Sequence, residues 1–346
     1  MVRVAGTDPG TSSLDVIILD DGLVQDQARF PAVDLQSDPA LPVHWLRERG
    51  PFDLIAGPSG YGLPLVTARA CTERELALMM LVRPDDRPET RKGVLGFSKV
   101  LRGFARTDLP IIFLPGIIHL PTVPTHRKIN RVDLGTPDKL GVAALAIHQF
   151  CARGPIDWTA CNLCVIELGS AFAACVVIRE GEIVDGVGGT AGPCGWQSGG
   201  GWDGESAYLL SPLGKTDLFS GGVESQRDPS IGRAMFLESL RKTVAGLRAV
   251  TNFDSIVISG RLLEVQPQFA EEIARALSSI AGVAQLEPLA GAWVKRAAQG
   301  AASLADGLAG GRMSALVERM RLRESNGTVL DWLTYHRAGE LRVLFS

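Results

Sequence analysis

Runs of apolar residues, broken at regular places by an acidic residue and a glycine, organise this chain. Val2–Thr7 reads as a strand that ends at Asp8 and Gly10, and a second apolar stretch then leads to Asp21-Gly22. The same layout returns further on: Leu163–Ile166 leads to Glu167 and Gly169, an apolar stretch follows, and Glu180-Gly181 closes it. In both copies twelve positions separate the loop glycine from the turn glycine, 10 to 22 and 169 to 181. Acidic-Gly pairs suit a tight hairpin between two strands. A unit repeated at this distance predicts two lobes of similar topology facing each other, not a solenoid.

The stretches between and after the repeats predict their supports. Thr136 reads as a helix N-cap with Pro137 at the first helical position and Asp138 in the first turn, ahead of a helix through Leu140–Phe150. Its Gly141, Ala143, Ala144 and Ala146 permit close helix packing. Asp254–Ser259 reads as a buried strand ending in a turn at Gly260, and Ala297–Gly311 as a helix dense in Ala and Gly that stops at paired glycines. Small-residue helices from each lobe can meet at a hinge, allowing the lobes to close over a ligand.

With 346 residues the chain suffices for two domains with substantial cores, and its 46% hydrophobic and 21% charged content is that of a globular protein. A net charge of −3 with no basic run argues against a nucleic-acid surface. No stretch is apolar for long enough to span a bilayer or to serve as a signal peptide, so no membrane partner and a cytoplasmic location are expected. The six cysteines are scattered, Cys161-x-x-Cys164 being the only close pair. Without a second pair at zinc-finger spacing they read as reduced core thiols.

The candidate chemistry lies at the repeated hairpins. A glycine tip exposes backbone N–H groups that can hold phosphate oxygens, and Thr11, Ser12 and Ser13 add hydroxyl donors beside Gly10. An acidic residue just before each tip, Asp8 or Glu167, can hold Mg²⁺, which favours carboxylate and phosphate oxygens. Two such tips from opposing lobes would clamp a polyphosphate. The loop from Gly188 to Glu205, rich in glycine and carrying Trp196 and Trp202, is longer than a connection needs. It reads as a substrate-facing loop, with Trp202, Asp203 and Glu205 as contacts.

The order of these parts, hairpin, helix, hairpin, strand-turn, helix, resembles that of the acetate and sugar kinase, Hsp70 and actin superfamily. Thr7-Asp-Pro-Gly-Thr-Ser-Ser-Leu is similar to the opening of acetate and butyrate kinases, and Asn130–Leu140 with Ala298–Gly311 resembles a prokaryotic butyrate-kinase-like family. The resemblance spans the chain in motif order. It implies an α/β fold of two ribonuclease-H-like lobes, residues 1–150 and 151–346, with a nucleotide cleft between them. It further implies ATP with Mg²⁺ as cofactors, held by Gly10, Thr11, Ser12 and Ser13 and by Gly169 and Ser170. Gly260 and Arg261 would form the adenosine turn. The sequence departs from the family at Arg131-Val-Asp133-Leu-Gly135, where the family carries a His, at Glu167-Leu-Gly169-Ser170, and at Gly260-Arg261, where two glycines are usual.

Within that frame Asp133 is a general base or orienting group for an acceptor hydroxyl, with Arg131 or Lys139 neutralising the transferring group. The plain alternative, a surface salt-bridge cluster of the same three residues, stays open. Three functions remain open as well: a kinase for a small-molecule acceptor such as a short-chain carboxylate, a nucleotide-switched ATPase, and a non-catalytic nucleotide-binding regulator. A homodimer is also kept open.

Overall fold

A computed structural model describes residues 1–10, 12–82, 94–151 and 157–345, with side chains described from 97 onwards in the third segment. Two mixed sheets carry the fold. The first contains β1 (Arg3–Pro9), β2 (Ser13–Asp20), β3 (Leu23–Pro31), β4 (Leu54–Gly57), β5 (Val66–Thr67) and β6 (Ile111–Phe113), in the order β3-β2-β1-β4-β6-β5. The second contains β7 (Leu163–Leu168), β8 (Ala173–Arg179), β9 (Glu182–Val187), β10 (Ser255–Ser259) and β11 (Gly282–Gln285), in the order β11-β10-β7-β8-β9.

The expected duplication holds strand by strand. In each sheet three antiparallel strands are followed by a parallel strand on the free side of the first, β4 beside β1 and β10 beside β7. The hairpin turns at Asp21-Gly22 and Glu180-Gly181 have positive φ at both residues, 46° and 77° in one and 52° and 78° in the other. That is the mirror-image turn whose twist matches the strands it joins. Even the register shift repeats, between Ile18 and Leu19 in β2 and between Val177 and Ile178 in β8.

Two helices tie the sheets together. The first, Pro137–Cys151, packs on β7 and β8; the second, Arg296–Leu308, packs on β1, β2 and β4; and the two helices pack on each other. The second helix is buried from Ala297 through Leu308, which explains its small residues. At Gly6 in β1 a Cβ would stand 2.1 Å from the Ala302 nitrogen, so only glycine lets strand and helix approach this far. The segments after this helix also return to the first lobe, where Leu65 N–H donates to Ser325 Oγ and Asn326 N–H to the His119 carbonyl.

One core joins the first sheet, both helices and the C-terminal segments, and a second lies between the second sheet and the helices Pro229–Val250 and Gln268–Leu277. Cys151, Cys161, Cys164, Cys175 and Cys194 are buried as free thiols, Cys71 is partly buried, and none is in a disulfide. Among the described residues no helix is long and apolar enough to cross a membrane.

Candidate active site

The two sheets and the two helices enclose a cleft of about 710 Å³. Both repeated hairpins open into it. In the first, the Gly10 N–H donates to the Ser13 carbonyl at 2.8 Å; in the second, the Gly169 N–H donates to the Phe172 carbonyl at 2.9 Å. The same backbone bond therefore closes both tips. Gly10, Ser12 and Ser13 line the cleft from one side, and Gly169 and Ser170 from the other. Thr11 lies outside the described residues. Gly260, at φ 124°, completes the second lobe's side, where a Cβ would stand 2.2 Å from the Leu168 carbonyl oxygen. Arg261 follows it into the cleft lining, paired with Glu264 at 2.6 Å.

Besides Glu264, four carboxylates face this space. Asp8 stands next to last in β1 and is buried; burial, joined by the nearby Asp138, pushes its carboxyl above the usual range against the opposing pull of Lys295. Glu167 holds the matching place in β7. It keeps some exposure to the cleft, yet its Oε2 is buried without a hydrogen-bond partner. Burial raises it to about 7, with Lys139 and the Ser259 hydroxyl opposing and Asp138 and Asp8 adding. Asp138, in the first turn of the first helix, bonds Thr136 Oγ1 and pairs with Lys139 Nζ at 2.5 Å. Burial works against its charge, but that ammonium holds its carboxyl below the usual range.

Asp133 is 9% exposed and lines the cleft. Its Oδ1 accepts from the Gly135 N–H at 2.8 Å, and it presses on Gly188, where a Cβ would stand 2.0 Å from its Cγ. Burial raises its carboxyl, while Lys139 and Lys215 lie close enough to pull it back. Lys215 reaches across from the second lobe to the Tyr61 hydroxyl of the first at 3.0 Å.

Other expected contacts are placed elsewhere. Arg131 is exposed and outside the cleft lining, because the turn at Asn130 (φ 56°) directs it to solvent while Asp133 turns inward. Trp202, Asp203 and Glu205 are also outside the lining: the Asp203 carboxylate accepts from the N–H groups of Glu205 and Ser206, capping the helix Gly204–Leu210. Only the earlier part of that glycine-rich loop, at Gly189, Thr190 and Gln197, reaches the cleft.

The cleft also holds a residue that its sequence context does not single out. Lys295, just before the second helix, sets its Nζ 3.1 Å from Asp8 Oδ2. Its backbone N–H donates to Asp15 Oδ2 at 3.1 Å, and Asp15 is itself held by Arg29. Among the described residues no three His, Cys, Asp or Glu side chains gather to hold a metal unaided. The unpartnered Glu167 oxygen beside Asp138 fits a cation that draws its remaining ligands from phosphate and water, as Mg²⁺ does. Asp8 fits less well, since Lys295 already occupies it.

A family model described as a protein of unknown function (DUF1464) matches residues 6–335. No curated protein matches the sequence. Among solved structures, the chain is similar to an acetate kinase from Entamoeba histolytica, with 12% identity, a TM-score of 0.55, and 80% of this chain and 87% of that one covered. A propionate kinase from Francisella tularensis subsp. tularensis SCHU S4 gives 13% identity and a TM-score of 0.54 over 87% and 99% of the two chains. An acetate kinase from Porphyromonas gingivalis gives 14% and 0.51 over 81% and 88%. This chain shares the two-lobed, actin-like kinase fold of these proteins.

Proposed function

The chain belongs to the family of unknown function DUF1464, and we propose that it is an ATP-dependent phosphotransferase moving the γ-phosphoryl group to an oxygen of a small-molecule acceptor. The observation that carries this reading is the cleft itself: two glycine tips closed by the same backbone bond, opposed across one space that Asp133 and Lys139 also enter. Phosphoryl transfer asks the protein for position and charge neutralisation more than for covalent chemistry. The two tips supply position. Ser12 and Ser170, in the cleft lining, would offer their backbone N–H groups to the phosphates, and the Gly260 turn would receive the adenosine.

Glu167 would hold Mg²⁺, with phosphate and water supplying its other ligands, and the ion's contribution when bound is to offset charge on the phosphate oxygens. Lys139, its charge reinforced by Asp138 despite burial, adds a fixed positive charge on the same side. Asp133 takes the proton of an acceptor hydroxyl as the new O–P bond forms and the bond from the γ-phosphorus to the bridging oxygen of ADP breaks. Its raised carboxyl suits that task, because a base works best with a pKa closer to the working pH. A carboxylate acceptor would need orientation only. The first-lobe wall of the cleft, with Leu35, Met79, Met80, Phe97, Val100 and Leu114, suits an acceptor carrying an aliphatic or aromatic portion.

ADP release from Mg-ATP, followed across a panel of short and medium acids, sugars and polyols, tests the assignment. Acceptor-dependent turnover supports it. Equal turnover without acceptor favours the nucleotide-switched ATPase, and no turnover with retained ATP binding favours the regulator.

A further inference from the structure

The two hairpins are alike in backbone and unlike in charge. Each has a carboxylate two residues before its glycine, Asp8 before Gly10 and Glu167 before Gly169. Glu167 Oε2 is buried with no partner, whereas Asp8 Oδ2 has Lys295. We propose that the Lys295 ammonium is the resident cation of the first hairpin, standing where Asp8 would otherwise take a divalent metal. The inference builds on the reading of the cleft as a nucleotide site, but it concerns charge placement and not turnover.

The geometry supports a built-in cation and not a chance ion pair. Lys295 Nζ has four oxygens around it: Asp8 Oδ2 at 3.1 Å, the Ser13 carbonyl at 3.2 Å, the Asp8 carbonyl at 3.5 Å and Asp15 Oδ1 at 3.8 Å. These are ammonium distances, well beyond the roughly 2.0–2.1 Å that Mg²⁺ requires. The ammonium bonds the carbonyls on both sides of the tip and fills its bend, since a Cβ at Gly10 would stand 2.6 Å from it. Lys295 is fixed at its other end too, through its own N–H to Asp15. The side chains of Lys295 and Asp8 are only 16% and 7% exposed, so water screens the pair little.

Lys295 thus acts through Asp8 as a positioning residue, and a metal brought in with nucleotide has its carboxylate at Glu167. A bare Asp8, by contrast, would be a buried charge beside three oxygens, which is a cation site. Removing the lysine should therefore create metal binding at Asp8, a result that a merely structural lysine would not give.

The test uses the whole protein without nucleotide, with Mn²⁺ as probe, followed by thermal shift and by electron paramagnetic resonance of free Mn²⁺. Lys295→Ala should melt below wild type and regain much of the loss in millimolar Mn²⁺. Lys295→Ala/Asp8→Asn should show no such recovery. In the wild-type background, with ADP added for this comparison, Asp8→Asn should leave Mn²⁺ affinity within about twofold, and Glu167→Gln should lower it tenfold or more. If Lys295→Ala does not fold, the Asp8→Asn comparison alone decides. A tenfold loss of Mn²⁺ affinity in Asp8→Asn, or a Lys295→Ala protein whose Mn²⁺ response does not depend on Asp8, overturns the proposal. Neither outcome touches the phosphotransferase reading, which acceptor-dependent ADP release tests separately.

Discussion

Gly141 and Gly300 meet backbone to backbone where the two connecting helices cross: a Cβ on Gly300 would stand 1.9 Å from the Gly141 carbonyl oxygen. The contact joins a helix packed on the second sheet to one packed on the first, so it couples the two lobes directly. Neither backbone can yield without separating helices whose facing residues are fully buried.

Gly300→Ala is therefore expected to lower stability despite the helix propensity that alanine gains. The overpacking cost is about 1–3 kcal/mol, against about 1 kcal/mol of propensity. Thermal or urea unfolding measures the net change. Gly246→Ala, at an exposed position near the C-terminal end of the helix Pro229–Val250 with nothing within 4 Å of its would-be Cβ, should stabilise instead.

Glu167 gives the cleft a pH dependence of defined sign. Its carboxyl is raised to about 7 from 4.5, so between those values the folded state holds a proton that the unfolded state has lost. Its contribution to stability therefore falls as pH rises from about 4.5 through 7. Glu167→Gln should flatten that decline in pH-dependent unfolding. Mg²⁺ affinity should strengthen as pH rises through about 7 in wild type, and this rise should disappear in Glu167→Gln.

Much of this architecture was legible in the sequence because its signals are local. The acidic-Gly turns at 21–22 and 180–181 specify hairpins through their own φ angles, and the equal twelve-residue spacing shows that the hairpins are copies. The small residues of Ala297–Gly307 announce close packing for the same reason. Lys295 was not legible, because its partner Asp8 lies at the other end of the chain and its neighbours Val294 and Arg296 carry no motif. Asp138 read as a helix-start residue, which it is, but its pairing with Lys139 inside the cleft depends on the second lobe covering it. In the second half of the glycine-tryptophan loop, composition pointed to binding contacts, whereas Asp203 caps the helix it precedes through the N–H groups two and three residues on, a local signal that the glycine-tryptophan content masks.

Asp203→Ala and Arg131→Ala should accordingly leave acceptor KM and kcat within about twofold, since both side chains lie outside the cleft lining. Loss of the cap in Asp203→Ala should cost about 1 kcal/mol or less. Steady-state kinetics on both variants checks this, and a tenfold rise in acceptor KM for Asp203→Ala would return the far half of the loop to the acceptor site.

Asp133 is the residue assigned to the transfer step itself, and one substitution reaches it directly. Asp133→Asn keeps the size of the side chain and an oxygen for the Gly135 N–H, but removes the base. With a hydroxyl acceptor established by the turnover panel, transfer of the γ-phosphoryl group can be followed by ³¹P NMR and ATP affinity by calorimetry on the same sample. The expected result is transfer slowed by roughly 10²–10⁴-fold with ATP affinity unchanged, because the nucleotide is held by the hairpin tips and the Gly260 turn. Transfer at the wild-type rate in Asp133→Asn would contradict the account.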